Sequence, residues 1–129
     1  MQRALDEAVA YAKQRKQFGK RLIDFEMVQQ MLADMAIKTE AARVLVNNCM
    51  RQMDAGEMVR KDGAIVKTFV TDAMQEVVSN AVQVLGGYGY SEEYPVEKLM
   101  RDAKIFQIFE GSNQIQRMTI AKELDREYR

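Results

Sequence analysis

The chain has 129 residues, with 19 acidic and 19 basic side chains and no histidine. A length of this order suits one domain that buries roughly two thirds of its unfolded surface. Zero net charge leaves no field to draw in nucleic acid or an anionic membrane, and the lack of histidine removes the usual general base and the commonest metal ligand.

Acid–base chemistry must therefore rest on Asp, Glu, Lys, Tyr or Cys, and no metal site is expected. The single cysteine, Cys49, forms no intrachain disulfide, which suits a reducing compartment. It falls on an apolar helix stripe, so a core thiol is expected rather than a nucleophile. No apolar run approaches the ~20 residues of a membrane span. Residues 1–7 carry acids and no apolar centre, unlike a signal peptide. They read as a helix already under way, and the chain is expected to be cut from something longer.

Five helices and no convincing strand are predicted. The first covers about residues 2–16, with Leu5, Ala8, Val9 and Ala12 on one face and Gly19 shortly after its end. The second covers about residues 25–53. Val28, Met35, Ala42 and Cys49 recur at seven, with Met31, Val46 and Met53 between them, as in a long bundle seam. Gly56 suits the left-handed helix stop that follows. The third covers about residues 57–85, with Val66, Val70, Ala73, Val77, Ala81 and Val84 at helical spacing, and ends at Gly86-Gly87. Pro95 suits the first turn of the fourth, which turns Val96, Leu99, Met100 and Ala103 inward and pairs Glu97 with Arg101. The fifth starts at Ser112 as N-cap and runs toward Glu127. Short loops between long helices imply an all-α antiparallel four-helix bundle with an additional C-terminal helix. The ten methionines are expected mainly as core filling on the seams.

One carboxylate stands out. Glu110 follows the apolar run Phe106-Gln107-Ile108-Phe109, and Gly111 and the helix-starting Ser112 come after it. This arrangement can place a carboxylate in an apolar pocket beside a helix N-terminus. Burial would raise its pKa and make it a general base near neutral pH. The bland alternative is an acid stabilised by the helix dipole.

Four stretches carry a resemblance to a known family. They are Tyr11 to Lys20 (YAKQRKQFGK), Leu32 to Ala36 (LADMA), Ala81 to Tyr90 (AVQVLGGYGY), and Glu93 to Ile105 leading into Glu110 to Arg117. Together they cover nearly the whole chain in order. The chain resembles the C-terminal α-helical domain of flavin-dependent acyl-CoA dehydrogenases, and its tail, Ala121 to Arg129, looks most like the medium-chain branch.

The resemblance implies that residues 1–129 are that C-terminal domain, without the N-terminal helical and middle β domains. It implies FAD as cofactor and oxidation of an acyl-CoA to its trans-2-enoyl-CoA. Glu110 matches the family's catalytic base, and its backbone N–H the donor to the thioester carbonyl; Gly111 lets the backbone come close. Arg15 matches the arginine that reaches the FAD diphosphate of a neighbouring subunit, although cations at a helix C-terminus are also favourable for the dipole. Phe18 matches an aromatic lining the flavin site, with core packing as the alternative. Gln83, Gly86 and Gly87 match a Gln-x-x-Gly-Gly segment on the cofactor's adenosine–phosphate end; glycines there can also be a plain cap. Ser112, where threonine is common, and Gln114 match the pair that holds the same subunit's FAD, and Ser112 can equally be a simple N-cap. Glu26 stands where glutamine is common, and no role is carried over to it.

The resemblance further implies an electron-transfer flavoprotein partner, reached through parts outside this chain, and a homodimer or tetramer. It also implies an isolated chain without normal turnover, while the single free thiol fits a bacterial cytoplasm or a mitochondrial matrix. Two other readings stay open: a cofactor-free helical oligomerisation module, and part of an acyl-CoA oxidase with the same base.

Overall fold

The computed structural model describes residues 1–129. Five α-helices dominate: α1 (Gln2–Gln14), α2 (Glu26–Asp54), α3 (Arg60–Leu85), α4 (Pro95–Ile105) and α5 (Asn113–Glu127). Helix α3 packs against all four others, so it forms the axis of the bundle. It supplies the longest run of buried side chains, including Val77, Val78, Ala81, Val84 and Leu85.

Ala4, Ala8 and Ala12 recur every four residues on α1 and are fully buried. Their small side chains let α1 approach closely, and Met35, Val77 and Val96 fill the space between elements. Gly56, at φ +77°, turns the chain between α2 and α3 as expected. The Glu97–Arg101 pair on α4 also forms, with Arg101 Nε donating to Glu97 Oε2 at 2.7 Å. The guanidinium holds the Glu97 carboxyl below its ordinary range.

The structure corrects three sequence readings. Helix α1 stops at Gln14, and two short strands follow, β1 (Lys16–Gln17) and β2 (Lys20–Arg21), paired antiparallel with Lys16 opposite Arg21. The two-residue turn between them, Phe18-Gly19, has positive φ at both positions (50° and 80°), the requirement of a type I′ hairpin. A helical count through this region missed it because Phe18 gives no turn signal.

The α2 seam is buried at Met35, Ala42 and Cys49, but Val46 and Met53 are exposed. Arg43 donates to the Gln2 side chain, which puts the start of α1 beside the middle of α2. Past that point α1 no longer covers α2, which leaves α3 as its neighbour.

The methionines follow the same logic. Met35 is core, while Met27, Met50, Met53, Met58, Met100 and Met118 are exposed, Met100 on the α4 face expected to turn inward. Core filling describes only a minority of them.

Helix α5 is attached differently from the rest. Its only buried residue is Asn113, while Ile115, Met118 and Leu124 remain exposed. It lies along α3 through polar contacts: Lys61 with Glu127, Arg60 with Glu123 at 3.4 Å, and Arg117 with Asp72. No helix is long and apolar enough to cross a membrane.

Candidate functional site

The sequence-nominated residues fall into three groups on the surface. The first surrounds a cleft of about 580 Å³ where the end of α1 meets the end of α3. Arg15, Gly86 and Gly87 line it with Tyr11, Tyr88 and Ser91. Arg15 is the residue that closes α1, so its side chain leaves the helix at the cleft mouth and lies over the Tyr88 ring at 5.7 Å.

Tyr11, Tyr88 and Tyr94 form an aromatic cluster behind it, with ring centroids 5.5–6.4 Å apart. Burial pushes the Tyr11 phenol above its ordinary value, against the pull of Arg15. The sequence reading did not find this cluster. Tyr11 is far from Tyr88 and Tyr94 in the chain, and only its place one turn before Arg15 hinted at the cluster.

Gly86 has φ 62° and ψ −138°, a conformation open essentially to glycine alone. A Cβ at Gly86 or Gly87 would meet nothing within 4 Å, so bare backbone faces open space there. Gln83 is exposed on the last turn of α3 and is not in the cleft wall; its carbonyl accepts the Gly86 N–H.

Gly89, which the sequence reading left without a role, is fixed by packing. A Cβ there would stand 2.6 Å from the Val82 carbonyl oxygen and 2.9 Å from Leu85 Cβ. The close approach seats the turn over residues 86–90 against α3.

The second group is the hairpin tip. Phe18 is 93% exposed and meets only the edge of Phe25, at 6.4 Å. Core packing, one of its two sequence readings, is therefore ruled out within this chain. Glu26, nearby, is the first residue of α2 and is exposed, where a carboxylate complements the helix dipole.

The third group is the α4–α5 corner. Glu110 is exposed, so residues 1–129 do not build the apolar pocket anticipated from its sequence neighbours. Phe106 and Phe109 instead pack on each other edge to face, at 5.1 Å. Glu110 has φ +53°, and its N–H donates to no acceptor within the chain. Gln116 Nε2 donates to the Glu110 carbonyl at 3.1 Å.

Gly111 follows at φ +83°. Ser112 caps α5, its hydroxyl accepting from the Ile115 N–H at a long 3.5 Å. Gln114 is exposed in the first turn, where its backbone N–H has no helical acceptor. Asn113, which the sequence reading quoted but gave no role, is the buried anchor of this corner.

Phe18 and Glu110 are the only non-glycine residues with positive φ. Each such conformation costs about 1–3 kcal/mol and persists only where the surroundings hold it, which is typical of functional positions. The corner and the cleft lie at separate points on α3. The corner docks at Asp72 and the cleft begins at Val84, twelve residues and roughly 18 Å along the helix axis.

The family described as "Acyl-CoA dehydrogenase, C-terminal domain" matches residues 1–124. The chain is 48% identical over 120 residues to the caffeyl-CoA reductase–Etf complex subunit CarC of Acetobacterium woodii, covering 93% of this chain and 32% of that protein. Its structure superposes on butyryl-CoA dehydrogenase from Megasphaera elsdenii with a TM-score of 0.94 and 48% identity, over 95% of this chain and 32% of that one. An FAD complex of PigA superposes with a TM-score of 0.92 at 28% identity, over 96% of this chain and 32% of that one. The chain thus spans about a third of the length of the relatives it matches. A match of this extent, on an all-α fold shared almost element for element, places the chain in the acyl-CoA dehydrogenase family as its C-terminal domain.

Proposed function

We propose that this domain supplies the catalytic base and part of the cofactor clamp of a flavin-dependent acyl-CoA dehydrogenase. The observation that carries the reading is Glu110: an exposed carboxylate with a free N–H, held in a left-handed turn immediately before a helix N-terminus.

In this reading Glu110 takes the α-proton of an acyl-CoA thioester, giving the trans-2-enoyl product. The Glu110 N–H donates to the thioester carbonyl, where negative charge develops as the proton leaves. Gly111 has no side chain to block that approach. Bound FAD supplies the acceptor for the β-hydride. The walls that would exclude water from the carboxylate come from outside residues 1–129.

The residues fit FAD in two places. Arg15, with its planar guanidinium, and the bare backbone of Gly86 and Gly87 suit a diphosphate and the adenosine end. Ser112 and Gln114, at the start of α5, suit an anionic or polar part of the cofactor, since the helix N-terminus presents unpaired N–H groups. The two groups sit at separate points along α3, and in this reading each holds its own cofactor copy, in a homodimer or larger assembly. Phe18, at the exposed hairpin tip, and Gln83, on the last turn of α3, would reach the cofactor from outside the cleft wall.

The exposed methionines and the apolar residues of α5 mark faces for a second copy or for the rest of the polypeptide. An electron-transfer flavoprotein is the natural electron acceptor, and a reducing compartment, bacterial cytoplasm or mitochondrial matrix, suits the lone buried thiol.

The test is Glu110→Gln in the full-length flavoprotein, mixed anaerobically with butyryl-CoA. Loss of flavin reduction with FAD still bound is the expected outcome. Reduction at the parental rate would reject the assignment.

A further inference from the structure

Asp72 lies near the middle of α3, outside every group assigned above, yet it collects three donors from the α4–α5 corner. Gln107 Nε2 and Asn113 Nδ2 each donate to its Oδ1 at 2.7 Å, and Arg117 donates to Oδ2. Gln107 stands three residues before Glu110 and Asn113 three residues after it. The Asn113 N–H also donates to the Gln107 carbonyl at 3.0 Å, closing a small loop with Glu110 at its centre.

Asn113 is 3% exposed and fully engaged. Its Nδ2 also donates to Thr71 Oγ1 at 2.8 Å, and its Oδ1 accepts from Lys67 Nζ at 2.6 Å. A loop closed on itself and tied at both ends to one rigid helix has little freedom. That is the arrangement needed to keep a non-glycine residue at positive φ.

We propose that Asp72 is a positioning residue for Glu110, holding the 107–113 loop by both ends so that the carboxylate and its N–H keep a fixed direction. The inference rests on the reading of Glu110 as the base. Asp72 itself touches no substrate; it acts through Gln107 and Asn113. Burial pushes its carboxyl up, but the hydrogen bonds from Arg117, Gln107 and Asn113 outweigh that and hold it below the ordinary range. It is therefore an anion at neutral pH, able to accept from all three donors at once.

The experiment has two arms. The first needs no substrate: amide hydrogen exchange of the chain with Asp72→Ala. Exchange at Ile108, Phe109 and Asn113, the loop amides that donate to the Ile105 and Gln107 carbonyls, is expected to rise about tenfold or more while the Val77–Val84 stretch of α3 stays protected. Unchanged exchange in the loop would overturn the proposal.

The second arm uses the full-length flavoprotein and α-deuterated butyryl-CoA. Asp72→Ala is expected to slow flavin reduction by about tenfold to a hundredfold, the scale of a small misplacement of a reacting group. FAD content and the apparent Kd for butyryl-CoA stay within about twofold, and the deuterium isotope effect rises as proton removal becomes more limiting. A parental rate and isotope effect would overturn the proposal, as would a rate that falls only in proportion to lost FAD. Should Asp72→Ala fail to fold, Gln107→Leu removes one tie alone. It is expected to slow reduction severalfold with the same rise in isotope effect, and an unchanged rate would again reject the role.

Glu110→Gln, measured in parallel, separates the two readings. Normal reduction by that variant removes Glu110 as base, and the exchange arm still decides whether Asp72 holds the loop.

Discussion

Phe18 and Glu110 share a backbone conformation that no other non-glycine residue of the chain adopts. Neither owes it to packing of its own side chain, since Phe18 is 93% exposed and Glu110 is also on the surface. At Phe18 the hairpin imposes it: a type I′ turn favours Asn-Gly, and here Phe-Gly stands instead.

Phe18→Asn should therefore relieve strain. The change loses one edge contact with Phe25, so the net effect in this chain should be neutral or stabilising by no more than about 1 kcal/mol. Thermal unfolding measures it, and a loss above that size would mean Phe18 supports the fold. In the full-length flavoprotein the same variant should retain FAD less well, which separates the aromatic's use from its cost.

Gly89→Ala should destabilise the domain by about 1–3 kcal/mol, the usual range for overpacking. The added Cβ would meet the Val82 carbonyl, a backbone atom that cannot swing away. Gly87→Ala is the control, since its Cβ enters open space at ordinary φ, and a change within about 0.5 kcal/mol is expected. Equal urea midpoints for the two variants would contradict the close contact.

How much of this was legible beforehand depends on the range of the interaction. The five helices follow from apolar spacing, and the Glu97–Arg101 pair and the Ser112 cap from local rules. The hairpin was hidden because Phe18 is not a turn residue, and only Gly19 signalled it. The exposed Val46 and Met53 were hidden because periodicity reports a stripe but not where the covering helix stops. The Asp72–Asn113 tie joins residues 41 apart, and nothing in either segment alone points to the other. Glu110 was legible as a residue, whereas its exposure in this chain was not, because its pocket depends on parts beyond it.

Acid should loosen the α5 attachment first. The folded-state pKa of Asp72 is depressed, so its stabilising contribution is fully present above the unfolded value and is lost as pH falls through the folded one. The unfolded value lies near 3.9, which places the loss below about pH 4. A pH titration followed by exchange at residues 113–117 should show protection falling in that window before α1 and α3 unfold. With Asp72→Ala the early step should vanish, because the tie is already gone at neutral pH. Retention of the step would assign it to another carboxylate, such as Glu127 with Lys61.

Arg15 offers the sharpest separation of binding from folding. Its guanidinium lies 5.7 Å from the Tyr88 ring centroid at an exposed position, an interaction of about 0.5–1 kcal/mol. Arg15→Ala should thus lower stability by no more than that. Arg15→Lys should keep the charge but lose the planar, two-pronged contact suited to a diphosphate. In the full-length flavoprotein both variants should release FAD more readily during desalting, with alanine the more severe, while the FAD that remains is still reduced by butyryl-CoA. Flavin content equal to the parent in both would remove Arg15 from the clamp and leave it as a helix-end cation stacked on Tyr88.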